Sequence, residues 1–298
     1  MNTTSIRILN KLKVLNLLNV NAAIKLNNKK FKVPILQQTG LPNLFVSEPW
    51  MIDVLKIILP IENKKFIDVG VNIGQTLLKL KSVSSEIDYI GFEPNPTCVN
   101  YTSRLIKENN FTNTLLIPSG ISEKNEMGIL NFFTTSDTDC AASTIEGFRP
   151  EEKTVRKEFV PLFDLESLKH QLNLDSISVL KIDVEGAELE VLNSFKHELK
   201  EKNPIILIEI LPAYDHQNVQ RIERQDKIQS MLKTLNYSMF RVIKQDDVLL
   251  NLQEISEIGV HGSMNDCEYV MVPEIKKKEF IKNLQKKFKH QVSDYNLN

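Results

Sequence analysis

The sequence predicts an α/β fold in which a mostly parallel β-sheet is covered by helices on both faces. From residue 64 onward, short apolar segments alternate with segments that have helical periodicity. One apolar segment, Ile205–Ile210, consists almost entirely of isoleucine and leucine, as is typical of a strand buried on both faces. The length of 298 residues is compatible with one hydrophobic core that carries terminal additions.

Strands are predicted where an apolar segment ends at a glycine, an acidic residue or a turn signal. They span residues 65–69, 89–92, 115–117, 179–182, 205–210, 238–243 and 268–272, with an additional strand at 129–133. Helices are predicted where apolar residues recur at three- and four-residue spacing, at 75–83, 97–109, 164–172, 187–199, 222–235 and 275–289. Asp164 is the expected N-cap of the third helix. In the fourth, Leu189, Leu192 and Phe195 are expected to face the core.

The two ends of the chain have a different character from the middle. Residues 5–20 predict a basic amphipathic helix with Ile8, Leu12 and Leu15 on one stripe, and residues 30–36 predict a short strand. No acidic residue precedes Glu48. We therefore predict an N-terminal extension over residues 1–45, a main α/β domain over 46–273, and a basic C-terminal helix or tail over 274–298.

Composition excludes several classes of protein. The 37 Lys and Arg residues balance 38 Asp and Glu residues, so no overall field favours nucleic acid as a partner. Cys98, Cys140 and Cys267 are far apart, which predicts neither a disulfide framework nor a zinc site and favours the cytoplasm. No apolar run approaches the roughly 20 residues of a membrane span. The basic ends leave peripheral contact with a membrane open, beside ordinary solvated helices.

A glycine turn follows the strand at 65–69, in the segment FIDVGVNIGQT. Gly70 and Gly74 would let the backbone approach a ligand, and the helix that starts there offers free N–H groups. Because the pattern is G-x-N-x-G, it lacks the third glycine of the dinucleotide motif, which counts against a nicotinamide enzyme. Glu93 ends the next strand, where a carboxylate can accept the hydroxyls of a ribose.

Acidic residues end two further strands. Asp183 and Glu185 follow the strand at 179–182 in LKIDVEGAELEVL, and Glu209 closes the strand that begins at Ile205. Ligands bind outside the carboxyl ends of strands in open α/β sheets. We therefore expect these three acids to line one edge of a pocket.

These motifs together resemble the FkbM-type methyltransferases, a branch of the class I S-adenosylmethionine-dependent enzymes. The resemblance covers about residues 64–243 and includes GFEPNP, SGISEKNE and IEI beside the two motifs above. It implies a Rossmann-like sheet of seven strands with a reversed last strand, S-adenosylmethionine as donor, and usually an O-methyl product. It also implies the site residues: Asp68, Gly70, Asn72 and Gly74 at the methionine end of the donor, Glu93 at the ribose, Ile121 and Ser122 at the adenine, and Asp183 and Glu185 near the transferring methyl.

A hydroxyl acceptor on a sugar, glycan or small metabolite needs a base, because a hydroxyl is a poor nucleophile until its proton leaves. The candidate bases are Asp183, Glu185, Glu209 and His216, which follows Glu209 in a loop. The clustered acids could instead hold a divalent metal ion, but no known metal-ligand spacing is present and no metal residue is assigned.

The polar segment 134–155 is predicted to be a loop, with Asp137, Asp139, Ser143, Thr144 and Arg149 among its side chains. It could close over a substrate as a lid or form a solvated surface insertion.

Two other functions remain alternatives at this point. One is a nicotinamide-dependent oxidoreductase on a similar sheet, and the other is a non-catalytic scaffold that keeps the donor fold. Binding of S-adenosylhomocysteine rather than NAD would exclude the oxidoreductase. The intact set of Asp68, Gly70, Gly74 and Glu93 argues against a scaffold. Methylation of nitrogen is disfavoured because no NPPY-like motif follows the strand at 179–182.

Overall fold

The computed structural model describes residues 3–11, 13–149 and 151–295. Its helices are α1 (Thr3–Lys11), α2 (Trp50–Ile58), α3 (Gln75–Val83), α4 (Pro96–Glu108), α5 (Leu165–Leu168), α6 (Glu188–Ser194), α7 (Lys196–Lys202), α8 (Val219–Thr234) and α9 (Glu274–Tyr295). Its strands are β1 (Asn19–Leu26), β2 (Lys29–Leu36), β3 (Lys65–Val69), β4 (Asp88–Phe92), β5 (Thr114–Ile117), β6 (Gly120–Ile121), β7 (Glu126–Phe132), β8 (Arg156–Phe163), β9 (Ile177–Ile182), β10 (Ile205–Glu209), β11 (Tyr237–Gln245), β12 (Val248–Ile255) and β13 (Glu268–Pro273).

The main sheet has the strand order β12-β11-β13-β10-β9-β3-β4-β5. The strands from β10 to β5 are parallel to one another, and β13 runs antiparallel to both β10 and β11. This confirms the Rossmann-like α/β fold and the reversed last strand. The predicted number of seven strands is wrong, because β12 adds an eighth at the edge.

The eighth strand was missed because its apolar pattern is weak. Only Leu249 and Leu252 of β12 are buried, as expected for an edge strand that has one side in solvent. It pairs antiparallel with β11. Asp246 and Asp247, which connect the two strands, have φ angles of 49° and 61°, and such left-handed pairs form tight hairpin turns.

The buried strands divide the core between the two faces of the sheet. Successive side chains of a strand point to opposite faces. Phe66 and Leu207 accordingly belong to the layer that includes α2 and α9, whereas Ile67 and Ile208 belong to the layer that includes α6 and α8. The predicted helix at 187–199 is divided into α6 and α7, and its Leu189, Leu192 and Phe195 are buried as predicted.

The predicted helix at 164–172 is shorter than expected. Asp164 is its N-cap, as predicted, and accepts a hydrogen bond from the Glu166 N–H at 3.3 Å. The helix α5 ends at Leu168, and a turn follows.

A second sheet of β6, β8 and β7 lies outside the main one. Strand β7 confirms the additional strand predicted at 129–133. Strand β8 was not predicted, because its first three residues, Arg156, Lys157 and Glu158, are all charged and only Val160 and Leu162 are buried. The intervening residues 134–149 and 151–155 form no named helix or strand, in agreement with the predicted loop.

The predicted helix over residues 5–20 is wrong in length and orientation. Helix α1 ends at Lys11, and β1 begins at Asn19. Ile6 and Leu15 are buried, while Ile8 is exposed; Leu12 lies outside the described residues.

The strand predicted at 30–36 is confirmed as β2, which pairs antiparallel with β1. The buried face of this hairpin packs with α4, and the Tyr101 hydroxyl of α4 donates to the Pro34 carbonyl at 3.0 Å. The domain boundaries at residues 46 and 274 stay predictions.

Among the described residues, no helix combines the length and the apolar character that crossing a bilayer requires.

Gly70 lies where the turn after β3 closely approaches the end of β9. Its φ of +89° is left-handed, and a Cβ built on it would lie 1.8 Å from the Asp183 carbonyl oxygen.

We expect Gly70→Ala to lower the free energy of unfolding by about 3 kcal/mol or more, since the backbone strain and the clash with the carbonyl add. Gly147→Ala is the control, because Gly147 also has a positive φ but meets nothing within 4 Å, and should cost only about 1 kcal/mol. Equal losses in urea denaturation would contradict the close approach as the cause.

Candidate active site

A cavity of about 660 Å³ opens at the carboxyl ends of the parallel strands. Its lining comes from the turn after β3, the ends of β4, β9 and β10, the second sheet and the 134–149 loop. Seven of the predicted site residues line it: Gly70, Asn72, Glu93, Ile121, Asp183, Glu185 and Glu209. Parallel strands ending at one edge therefore bring residues together that are far apart in the sequence.

Glu93 is held by two backbone N–H groups. The Asn72 N–H donates to its Oε2 at 2.6 Å, and the Asn95 N–H donates to its Oε1 at 2.8 Å. Burial raises the pKa of Glu93 to about 7, although both N–H bonds oppose this rise. The carboxylate is thus fixed in position at the cavity wall while its charge is sensitive to pH near neutrality.

Three of the residues predicted to hold the methyl donor are not part of the cavity lining. Asp68 is fully buried, where it accepts a hydrogen bond from the Tyr89 hydroxyl at 2.7 Å. Gly74 starts α3, and a Cβ there would lie 2.9 Å from the Leu105 side chain, so its glycine serves packing against α4. The Ser122 N–H donates to the Phe163 carbonyl at 2.9 Å, within the second sheet.

A buried lysine joins the two neighbouring strands β3 and β9. The Lys181 Nζ lies 3.0 Å from Asp183 Oδ2 and 3.5 Å from Asp68 Oδ1. Burial alone would raise the pKa of Asp183, but the charge and hydrogen bond of Lys181 outweigh it and hold the pKa below its ordinary value. Burial would lower the pKa of Lys181, but the two carboxylates raise it. Lys181 therefore stays charged and keeps Asp183 ionised.

Three acids at the ends of β9 and β10 differ in proton affinity. One oxygen each of Asp183, Glu185 and Glu209 lie within 4.8 Å of one another. Burial, and then the charge of Asp183, raise the pKa of Glu185 to about 7. The same two causes raise the pKa of Glu209 far above its ordinary range, so that Glu209 keeps its proton at neutral pH. Near neutral pH the cluster thus contains an ionised Asp183, a protonated Glu209, and Glu185, whose pKa lies near that pH.

The 134–149 loop is attached to this cluster at its end. The Arg149 Nη2 lies 2.5 Å from Glu185 Oε2, and Nη1 lies 2.9 Å from Glu152. The Phe148 ring packs on Gly186, and a Cβ built on Gly186 would lie 2.5 Å from that ring. Earlier in the loop, side chains that line the cavity include Thr134, Ser136, Thr138, Asp139 and Thr144.

His216, the fourth candidate base, lies away from the acids of the cavity. Its side chain is exposed and is not part of the cavity lining. The loop after β10 instead directs Tyr214 toward Arg221, whose guanidinium lies 5.2 Å from the ring centroid. The prediction of His216 as a base is therefore not supported by its placement.

Sequence reasoning missed two charged groups of the cavity. Lys181 lines it, and the signal was a lysine inside the apolar strand β9. Glu48 also lines it and binds the buried Lys79 of α3 at 2.6 Å. No local pattern marks Glu48, since it lies in an irregular segment before α2.

The comparison with protein families agrees with this geometry. The model of the methyltransferase FkbM domain matches residues 68–241, which is more than half of the chain. The chain belongs to the FkbM methyltransferase family. The match begins at Asp68 and ends in β11, so it includes the glycine turn, Glu93 and all three acids of the cluster.

Individual relatives of this FkbM-family chain are distant. It is 24% identical over 168 residues to Methyltransferase 1 of Beauveria bassiana (strain ARSEF 2860), covering 52% of this chain and 68% of that protein. It is 28% identical over 160 residues to Methyltransferase sdnD of Sordaria araneosa, covering 46% and 62%. The crystal structure of methyltransferase FkbM from Methylobacillus flagellatus KT is similar with a TM-score of 0.44 and 14% identity, covering 70% of this chain and 43% of that chain. This chain thus spans less than two thirds of the last two proteins.

Arg149→Met tests the attachment of the loop. Loss of a charge-assisted bond to Glu185 should make amide hydrogen exchange over residues 134–149 roughly tenfold faster. Arg104→Met is the control, because Arg104 pairs with Glu108 on a helix surface, and it should leave exchange in the loop unchanged. Hydrogen exchange followed by mass spectrometry measures both, and a loop that exchanges at the same rate in Arg149→Met contradicts the attachment.

Proposed function

We propose that this protein is an S-adenosylmethionine-dependent methyltransferase that methylates a hydroxyl group of a sugar, a glycan or a small metabolite. The observation that carries the proposal is one cavity lined by the Gly70 turn, by Glu93 and by the acids of β9 and β10. A donor site and a proton-accepting site thus face the same space. An acceptor of this kind requires neither nucleic acid nor a transmembrane segment.

The residues present fit the donor. S-adenosylmethionine supplies, when bound, a methyl group already activated on a sulfonium sulfur. Gly70 and Asn72 line the cavity wall, where their backbone can contact the donor, and the Glu93 carboxylate can accept ribose hydroxyls. Ile121, Leu130 and Leu162 of the second sheet supply apolar surface that would border the adenine. Asp68 and Gly74 would act from behind, as positioning residues.

The ionised Asp183 has a further use at this place. A positively charged sulfonium is stabilised by a nearby carboxylate, and Lys181 keeps that carboxylate charged and immobile. Because methyl transfer is an in-line displacement, fixed placement of the groups contributes a large part of the rate acceleration.

Among the three acids, Glu185 is the one we propose as general base. Its pKa of about 7 lies near the operating pH, where a base accepts a proton most effectively. Arg149 binds its Oε2, so Oε1 is the oxygen that would take the proton of the acceptor hydroxyl. Glu209, already protonated, would hold Asp183 and the acceptor by hydrogen bonds rather than act as base.

We also propose a cytoplasmic location. The three cysteines are free thiols, and two of them, Cys98 and Cys267, are buried. Buried free thiols are stable in a reducing compartment, where disulfides are rare. A divalent ion at Asp183, Glu185 and Glu209 is retained only as an alternative means of activating the hydroxyl, because their oxygens are the ligands that such ions prefer.

Calorimetric titration with S-adenosylhomocysteine tests the donor assignment. The product of methyl transfer should bind with a Kd in the micromolar range or below, on the order of the substrate KM of typical enzymes, whereas NAD should not bind. Glu93→Gln should weaken this binding by about tenfold or more, because a buried carboxylate no longer accepts two ribose hydroxyls. Failure of the well-folded protein to bind S-adenosylhomocysteine would leave the scaffold alternative, and binding of NAD would favour the oxidoreductase.

The pH dependence of the same titration tests Glu93 separately. Below the Glu93 pKa of about 7, the carboxylate takes up a proton that must leave before it accepts both hydroxyls. Affinity should therefore fall as pH decreases from 8 to 6, by at most about tenfold per pH unit. The Glu93→Gln variant should lack this dependence, and a wild-type affinity that does not change with pH would contradict the role of Glu93.

A further inference from the structure

The N-terminal part of the chain exposes apolar and basic side chains together. We define the N-terminal patch as Arg7, Ile8, Lys11, Lys13, Leu17, Phe45 and Val46. Leu17 is 82% exposed, Ile8 56% and Phe45 52%. Single exposed apolar residues are common on soluble proteins, but a group of them marks a surface for interaction.

The members of this patch lie next to one another in the fold. The Arg7 guanidinium is 5.3 Å from the centroid of the Phe45 ring, which places α1 beside the segment after β2. The Gln38 side chain hydrogen-bonds to Asn10 of α1 and to Asn16 of the turn Val14–Leu17. Helix α1, this turn and residues 45–46 thus form one neighbourhood.

The charge of the patch has one sign. No acidic residue occurs in the chain before Glu48, and Arg7, Lys11 and Lys13 have no ion-pair partner among the described residues. These cations are therefore available to an anionic surface. The C-terminal helix α9 is also rich in lysine, but Glu274 and Glu279 lie among its lysines, and Lys277 and Lys287 are already paired with acids.

One part of the patch adjoins residues that line the cavity. Ser47 and Glu48 follow Val46 directly, and both line the cavity. A surface that covers Phe45 and Val46 would therefore lie within a few residues of the cavity lining.

We propose that the N-terminal patch docks the protein on an anionic lipid bilayer. Leu17, Phe45 and Val46 insert at the level of the headgroups and upper acyl chains, while Arg7, Lys11 and Lys13 contact the anionic headgroups. Apolar side chains combined with cations and without acids are the pattern that such surfaces bind. A second copy of this chain is disfavoured as the occupant, because a symmetric contact would place the same cations against one another.

Co-sedimentation of the full chain with vesicles tests the docking, and it needs neither donor nor acceptor. The protein should bind vesicles of phosphatidylcholine and phosphatidylglycerol, bind vesicles of pure phosphatidylcholine much less, and be released by salt. Lys11→Glu with Lys13→Glu should lower binding by about tenfold or more. Leu17→Ser with Phe45→Ser should do the same, because the inserted apolar area is lost.

Matched variants elsewhere serve as controls. Lys278→Glu with Lys282→Glu makes the same charge change on α9, and Phe159→Ser with Ile275→Ser removes side chains that are 73% and 76% exposed. Both controls should bind anionic vesicles as the wild type does. The proposal is overturned if the wild type does not bind, if it binds both kinds of vesicle equally, if the controls lose binding as strongly, or if the patch variants instead abolish a dimer formed without lipid.

Circular dichroism establishes that each variant is folded before it is scored. Because the patch variants change only exposed side chains, and because the charge pair and the apolar pair are independent, one pair remains informative if the other destabilises the fold. The result is also independent of the proposed methyl transfer, since S-adenosylhomocysteine binding is measured without vesicles.

Discussion

The edge of the sheet that forms the cavity depends on the ion pairs of the Lys181 ammonium with Asp68 and Asp183. The ammonium lies between Asp68 of β3 and Asp183 at the end of β9. Lys181 and Asp68 are buried among the strands, whereas the Asp183 side chain lines the cavity and is 35% exposed. A buried ion pair gains little net stability, but removal of one partner leaves an uncompensated charge that costs several kcal/mol. The cluster therefore fixes where β3 and β9 end relative to one another. This placement also sets the close contact of Gly70 with the Asp183 carbonyl, which leaves room for no other residue at position 70.

The same cluster separates the pKa values of the acids around the cavity. Because Lys181 holds Asp183 ionised, the negative charge of Asp183 disfavours ionisation of its neighbours Glu185 and Glu209. Environments that push pKa values apart are the usual means by which similar groups serve as acid, base and electrostatic anchor in one site. Arg149 then connects this electrostatic arrangement to the 134–149 loop, so that the state of the acids and the position of the loop are linked.

The sequence predicted the part of the site that depends on local pattern. Gly70, Glu93 and Asp183 were found because each follows a short apolar strand, and strand ends meet at one edge by topology alone. The positions of Asp68 and Gly74 were harder to predict from the sequence, because the burial of Asp68 behind the cavity and the packing of Gly74 on Leu105 depend on tertiary contacts. His216 was expected at the pocket but is exposed outside the cavity lining, because proximity in sequence to Glu209 does not fix the direction of a loop. Strand β12 and the hairpin strand β1 were missed because edge strands need few apolar residues.

The central claim is that Lys181 and Asp183 act as one unit, and a double-mutant cycle tests it most directly. The free energy of unfolding is measured by urea denaturation for the wild type, Lys181→Met, Asp183→Asn and the double variant. We expect Lys181→Met alone to be strongly destabilising and the double variant to lose at least about 1.5 kcal/mol less than the sum of the single losses. Losses that add within about 0.5 kcal/mol would contradict the account, because two groups in one ion cluster cannot be energetically independent.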